Sequence, residues 1–241
     1  VSGNVSVFWL PIHHSNDHGL QVNPGAAVRH VGVHTIHKDL ELQELLLSLL
    51  TAFGGTTEFV HLDPTSLFDY SYGRVYSPQQ TDQLYHQLVT LDVGVVKQSG
   101  CVSEWWFCSR WKTGQRLVNV LSAGIPAIVW GDAQGHIDVV EGLWPPPRSG
   151  RGRSRGRRRS RPLLLYPPQL VIKHEAEVSG ALRGLLNNET LRREASALGL
   201  RLAARFSLPR IASRLARILG NLELKLLRLP HGARLSSVRR P

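Results

Sequence analysis

The sequence of 241 residues contains no methionine and only two cysteines, Cys101 and Cys108. Their spacing fits neither a redox pair nor a zinc site, so we expect two free thiols in a reducing, cytoplasmic compartment. No apolar run approaches the roughly 18 residues that a membrane-spanning helix requires, and the first residues show no signal segment. No other motif for a metal is recognisable. These absences argue against a disulfide scaffold, a zinc ribbon and a transmembrane protein.

Acidic residues are missing from one long stretch. Residues 148–161 contain eight arginines and no acid, so eight of the eleven net positive charges of the chain lie there. The surrounding segment 145–162 has no apolar residue other than proline and cannot bury a core, which predicts a disordered surface loop. Arginine interleaved with glycine and serine is typical of weak binding to RNA or another polyanion. The alternative is an insertion without function in a tolerant loop.

The remaining sequence alternates between the apolar patterns of strands and of helices, and its 42% hydrophobic content suffices for a core. This alternation predicts a doubly wound α/β domain with a mostly parallel sheet over residues 28–220. Residues 1–27 read as a linker or as the end of a preceding domain, and residues 221–241 as a basic tail. Strands are predicted at residues 28–33, 57–62, 91–96 and 125–130, and a further strand ends at residues 171–172. Helices are predicted at 39–53, 78–89, 175–186 and 191–204, after a loop within 112–123, and in the segment that Ser207 caps.

The segment from Lys112 to Glu141 carries most of the functional information. It reads as a basic, glycine-containing loop, a helix, a Gly-Ile-Pro turn, a buried strand and a second polar loop. In open α/β sheets both loops lie at the carboxyl ends of strands, where phosphorylated ligands bind. Thr113 and Gly114 would let backbone amides approach an anion at the helix N-terminus. Lys112 and Arg116 would supply positive charge.

Four segments, taken in order, resemble the donor-binding half of GT-B glycosyltransferases of the group-1 type. They are LDVGVV, KTGQRLVNVLSAGIPAIVW, QGHIDVVEG and EVSGALRGLLNNETLRREASALGLRLAARFSLPRIASRLARIL, and the resemblance covers about residues 28–220. It implies a Rossmann-like domain that binds a nucleotide-activated sugar for transfer to an acceptor, without a metal or other cofactor. It also implies a second diphosphate-facing lysine, Lys38. Asn119, His136 and Glu141 would contact the ribose or the sugar, although His136 and Glu141 also fit an exposed loop.

The sequence departs from this family at several positions. Many retaining members carry two glutamates eight residues apart, where this chain has Trp111 and Asn119. The arginine that usually follows the glycine of the first strand is Val33 here. Either the chain uses Lys112, Arg116 and Asn119 instead, or its donor site has decayed and the arginine-rich loop carries the function. Because no acceptor-binding half is recognisable, we expect a fragment that binds a nucleotide weakly and turns over poorly alone.

Overall fold

The computed structural model describes residues 16, 19–34, 40–62, 78–97, 114–131, 134–142 and 164–227. Within these ranges, five strands form one sheet in which all neighbours are parallel, in the order β2-β1-β3-β4-β5. The predicted α/β class with a parallel sheet is therefore confirmed. The strands are β1 (His30–His34), β2 (Glu58–Leu62), β3 (Val93–Val96), β4 (Ala127–Trp130) and β5 (Val171–Ile172).

Seven α-helices accompany the sheet in the described ranges. They are α1 (Leu40–Phe53), α2 (Pro78–Leu88), α3 (Gln115–Ser122), α4 (Gln134–Val140), α5 (Val178–Asn187), α6 (Glu189–Ala203) and α7 (Leu208–Leu227). None of them has the length and apolar character needed to cross a bilayer.

The helices cover both faces of the sheet, as predicted for a doubly wound domain. Crossover connections between parallel strands are right-handed. The chain moves along the sheet in one direction from β1 to β2 and in the opposite direction from β3 to β5, so the helices of these two sets of connections lie on opposite faces. On one face, the guanidinium of Arg183 in α5 lies 5.1 Å from the ring centre of Phe53 in α1. On the other, Tyr85 of α2 hydrogen-bonds Asn119 of α3. Every residue of β3 and β4 is buried, as expected for strands covered on both sides.

The turn from α3 to β4 confirms the prediction that Gly124 ends the helix. Gly124 has a φ of 69°, a conformation that costs other residues more than glycine. Its N–H donates to Leu121 O (3.0 Å), and the N–H of Ile125 donates to Val120 O (3.3 Å). This pair of bonds satisfies the last carbonyls of the helix and directs the chain into β4.

Two elements differ from their predictions. Residues 134–141 were expected to form a polar loop, but Gln134–Val140 is the helix α4, with His136, Val139 and Val140 buried. Seven residues that include a glycine are too few to give a clear helical period, so the pattern was not recognisable in the sequence. In addition, α7 continues to Leu227, seven residues beyond the predicted end of the domain.

Several of the described residues before β1 contact the domain. The side-chain amide of Asn16 donates to Ser122 O (2.8 Å), and the N–H of Val22 donates to Ala123 O (3.0 Å). Residues Asn23, Pro24 and Gly25 form a turn, with the N–H of Gly25 donating to Asn23 Oδ1 (3.1 Å). This segment therefore closes over the end of α3, at the amino edge of the sheet.

Tyr166 completes the hydrogen bonding at the start of β4. The pairing of β4 with β5 begins only at Val129, two residues after Ala127. The Tyr166 hydroxyl accepts from the N–H of Ala127 (2.8 Å) and donates to Ala127 O (3.1 Å), in place of a neighbouring strand. Burial raises the pKa of this hydroxyl, which keeps it protonated. We expect Tyr166→Phe to lower the free energy of unfolding by about 1–2 kcal/mol, because both groups of Ala127 lose their partner. Urea denaturation measures this, and an unchanged midpoint would contradict it.

Candidate functional site

The carboxyl edge of the sheet is where a ligand site is expected from the topology. The chain moves from β1 to β2 in one direction and then from β3 to β5 in the other, so the strand order reverses between β1 and β3. Doubly wound sheets bind ligands in the crevice at such a reversal, outside the carboxyl ends of the strands. The described part of this edge includes the ends of all five strands and the starts of α1, α2, α3 and α4.

Lys97 directly follows β3 at this edge and is held in place by two partners. Its Nζ lies 4.9 Å from the ring centre of Trp130, at the end of β4, and 3.6 Å from Glu175 Oε1. Only 17% of the lysine side chain is exposed. A cation above an indole face is attracted by the electron density of the ring. The ammonium group therefore has a defined position at the edge, beside the end of β4.

The starts of α3 and α4 touch each other through their backbones. A Cβ atom added to Gly114, which immediately precedes α3, would lie 2.5 Å from Gly135 O and 2.8 Å from a methyl carbon of Val139. Neither distance is compatible with a side chain, so glycine is required for this packing. Gly114 thus has a structural reason to be glycine, besides the approach to an anion that the sequence predicted.

His136 fixes α4 to the end of β4. Its ring is fully buried, and Nδ1 donates to Trp130 O (3.1 Å), which requires the proton to be on Nδ1 because a carbonyl can only accept. The same residue, Trp130, carries the ring beneath Lys97. His136 therefore lies inside the domain and not on the exposed loop that was considered for it.

Asn119 lies in the interior between α2 and α3. Its Oδ1 accepts from the Tyr85 hydroxyl (3.2 Å), which also lies 3.1 Å from Ser122 Oγ. Because α3 runs away from the carboxyl edge, Asn119 is more than a turn from Gly114 along the helix. The side chain of Asn119 therefore contacts Tyr85 of α2 inside the domain.

Glu141 follows the last residue of α4, at the opposite end of this helix from Gly135. Its N–H donates to Ile137 O (2.9 Å). Partial burial and, to a smaller extent, the nearby carboxylate of Asp138 raise the pKa of the Glu141 side chain. The carboxylate is therefore partly buried and lies away from the contact between the two helix starts.

The structure brings together some of the predicted site residues. Gly114 packs on Gly135, the residue before His136, and Arg116 lies half-buried in the first turn of α3. Lys38, Lys112 and Thr113 lie outside the described residues, as does the arginine-rich segment 145–162. Among the residues that are described, no group of three histidines, cysteines or acids is placed to hold a metal.

Lys97 is a candidate that the sequence analysis missed. The signal was present, since a lysine directly after a buried strand lies at the ligand-binding edge of a parallel sheet. Its contact with Trp130, which is 33 residues later in the chain, could not be read from the sequence.

The fold and this edge define a doubly wound, Rossmann-like α/β protein with a fixed cation beside the strand reversal. No protein-family model matches the chain, and no curated protein matches it in sequence.

Proposed function

We propose that the protein binds a nucleotide-activated sugar at the carboxyl edge of β3 and β4, as the donor domain of a glycosyltransferase. The observation that supports this most is the position of the Lys97 ammonium, which directly follows β3 and lies over the ring of Trp130, at the end of β4. A diphosphate placed there would meet a cation and the positive end of a helix. The resemblance of the segments along residues 28–220 supports the same ligand.

The chemistry of sugar transfer explains why cations are needed here. The bond between the anomeric carbon and the diphosphate oxygen breaks, a bond to an acceptor hydroxyl forms, and negative charge accumulates on the leaving diphosphate. Lys97 and Arg116 would neutralise this charge, assisted by the backbone at Gly114. Lys112, Thr113 and Lys38 belong to the same proposal as further diphosphate contacts.

For Asn119 and His136 we propose a positioning role instead of direct contact with the ribose or sugar. Asn119 accepts from Tyr85, and His136 donates to Trp130 O, so the two side chains hold α3 and α4 in place beside the edge. Glu141, which is partly exposed after α4, remains the proposed ribose or sugar contact.

Titration calorimetry of the full chain with UDP, GDP and their sugar conjugates tests the proposal. One nucleotide should bind saturably, and Arg116→Ala and Lys97→Ala should each weaken it about tenfold, the loss expected for one charge-assisted hydrogen bond. Arg201→Ala is the matched control, because Arg201 is exposed on α6. Gly199, two residues before Arg201 in α6, packs on Leu121 in the last turn of α3. This part of α6 therefore lies at the amino end of the sheet and not at the carboxyl edge, where the nucleotide is proposed to bind.

Two outcomes would contradict the proposal. Equal weakening by Arg201→Ala would mean that the nucleotide is attracted by overall charge and not by a site. Absence of nucleotide binding, with RNA affinity that disappears on deletion of residues 148–161, would favour the arginine-rich segment as the functional part.

A further inference from the structure

Lys97 and Glu175 form an ion pair across the end of β4. Lys97 directly follows β3, Glu175 lies shortly after β5, and β4 separates these two strands in the sheet. Neighbouring strands are about 5 Å apart, so the ends of β3 and β5 are separated by about 10 Å. The two side chains cover this distance together, with the ammonium group 4.9 Å from the ring centre of Trp130 and 3.6 Å from Glu175 Oε1. A carboxylate therefore lies beside the cation that is proposed to bind phosphate.

The turn that carries Glu175 is capped by a different carboxylate. Glu175–Glu177 is a 3₁₀ turn that lies between β5 and α5. Glu177 Oε2 accepts from the backbone N–H groups of Lys173 (2.6 Å) and His174 (3.2 Å), which fixes the turn to the end of β5. The backbone at Glu175 is thus held by Glu177, while the carboxylate of Glu175 extends to Lys97.

The two partners of the ion pair differ in exposure. Only 17% of the Lys97 side chain is exposed, against 57% of the Glu175 side chain. The ammonium group also keeps its contact with the indole ring of Trp130. Glu175 has a flexible side chain that faces water, and exposed ion pairs stabilise proteins little, so its carboxylate can turn away at small cost. An anion that reaches this edge can therefore replace the carboxylate while the ammonium group stays in place.

We propose that Glu175 is the resting counter-ion of Lys97, which the phosphate of a ligand replaces. A phosphate group brings more negative charge and more acceptor oxygens than a carboxylate, so it can displace Glu175. The ligand binds only the fraction of the protein in which Lys97 has left Glu175, and its apparent affinity is reduced by that fraction. This inference rests on the proposed nucleotide site, and it makes the contact between Glu175 and Lys97 an autoinhibitory one.

Calorimetric titration of the full chain with UDP, GDP and their sugar conjugates tests this exchange. Glu175→Gln should bind the nucleotide and its sugar conjugate about threefold more tightly than the wild type, the factor expected when the lysine no longer has to leave an exposed ion pair. Glu194→Gln is the matched control, because it removes the same charge from an exposed position of α6 and should bind as the wild type does. Ser196, two residues further along α6, lies close to Gly124, so this part of α6 is at the amino edge of the sheet.

A double-mutant cycle shows whether the gain in affinity depends on Lys97. Lys97→Ala alone should weaken binding, and adding Glu175→Gln to it should give no further change, because no ammonium group remains to be released. A gain that persists without Lys97 would mean that Glu175 acts only by repelling the ligand, and this result would overturn the proposal. Circular dichroism of each variant checks that the fold is retained.

Two further results would overturn the proposal and leave the nucleotide site standing. In the first, Glu175→Gln binds no more tightly than Glu194→Gln. In the second, Glu175→Gln binds more weakly than the wild type, because the carboxylate then contacts a hydroxyl of the ligand. Absence of nucleotide binding to the wild type and to Glu175→Gln alike would instead refute the nucleotide site itself, and this inference with it.

Discussion

Replacing Arg192 with alanine is expected to lower the free energy of unfolding by about 3 kcal/mol or more. Arg192 lies in α6 with only 6% of its surface exposed. Its guanidinium donates to Leu185 O (2.8 Å) and Leu186 O (3.2 Å) at the end of α5, and to Pro24 O (3.0 Å) and Ala26 O (3.2 Å) before β1. Alanine would leave these carbonyls without their donor and separate the segment before β1 from the two helices.

Urea and thermal denaturation measure this effect, and the melting temperature should fall by about 6–12 °C for a domain of this size. Arg192→Lys should be intermediate, because a single ammonium cannot reach carbonyls on both sides as a planar guanidinium does. Arg201→Ala, on the exposed side of the same helix, should change stability by less than about 0.5 kcal/mol. If Arg192→Ala were no more destabilising than Arg201→Ala, the proposed role of Arg192 would be wrong.

Gly114→Ala is expected to destabilise the protein by about 2–3 kcal/mol and to weaken nucleotide binding as well. The added methyl group would overlap a backbone oxygen, that of Gly135, at 2.5 Å, and backbone cannot move aside as a flexible side chain can. The starts of α3 and α4 would have to separate, which would shift Arg116 relative to Lys97.

The matched control is Gly180→Ala in the first turn of α5, where an added Cβ would meet nothing within 4 Å. It should stabilise the protein by about 0.5–1 kcal/mol, because alanine favours a helix more than glycine does. Denaturation and calorimetry on both variants separate the two effects. A Gly114→Ala protein as stable as Gly180→Ala would show that the two helix starts do not touch.

Most elements of the fold could be predicted from the sequence because their signals are local. The apolar period between residues 39 and 53, followed by Gly54, indicated α1 and its end. In the structure Gly54 has a φ of 67°, which suits the end of a helix. The buried strand β4 was indicated by its continuous apolar run after Gly124. The order of strands and helices then required a parallel sheet, since parallel strands need crossover connections.

The site was predictable only in part, for a physical reason. Gly114 and Arg116 could be placed at the start of a helix because they follow a strand and a loop in the sequence. The second loop, however, is the helix α4, and its short pattern became helical through the burial of His136 and Val140 against the rest of the domain. Asn119 was predicted to contact a ligand, but its side chain accepts from the hydroxyl of Tyr85. This contact could not be predicted because Tyr85 comes from a helix that is distant in the sequence.

By itself the sequence determined the α/β class, the order of the strands and of most helices, the helix-ending glycine and the concentration of arginine in one segment. These depend on periodicity, backbone preference and composition, which neighbouring residues express directly. Only the tertiary structure decided that Lys97 lies over Trp130, that Gly114 meets Gly135 and that Arg192 joins the chain before β1 to α5. Each of these contacts joins residues distant in sequence, and its energy depends on the burial and distance that packing imposes.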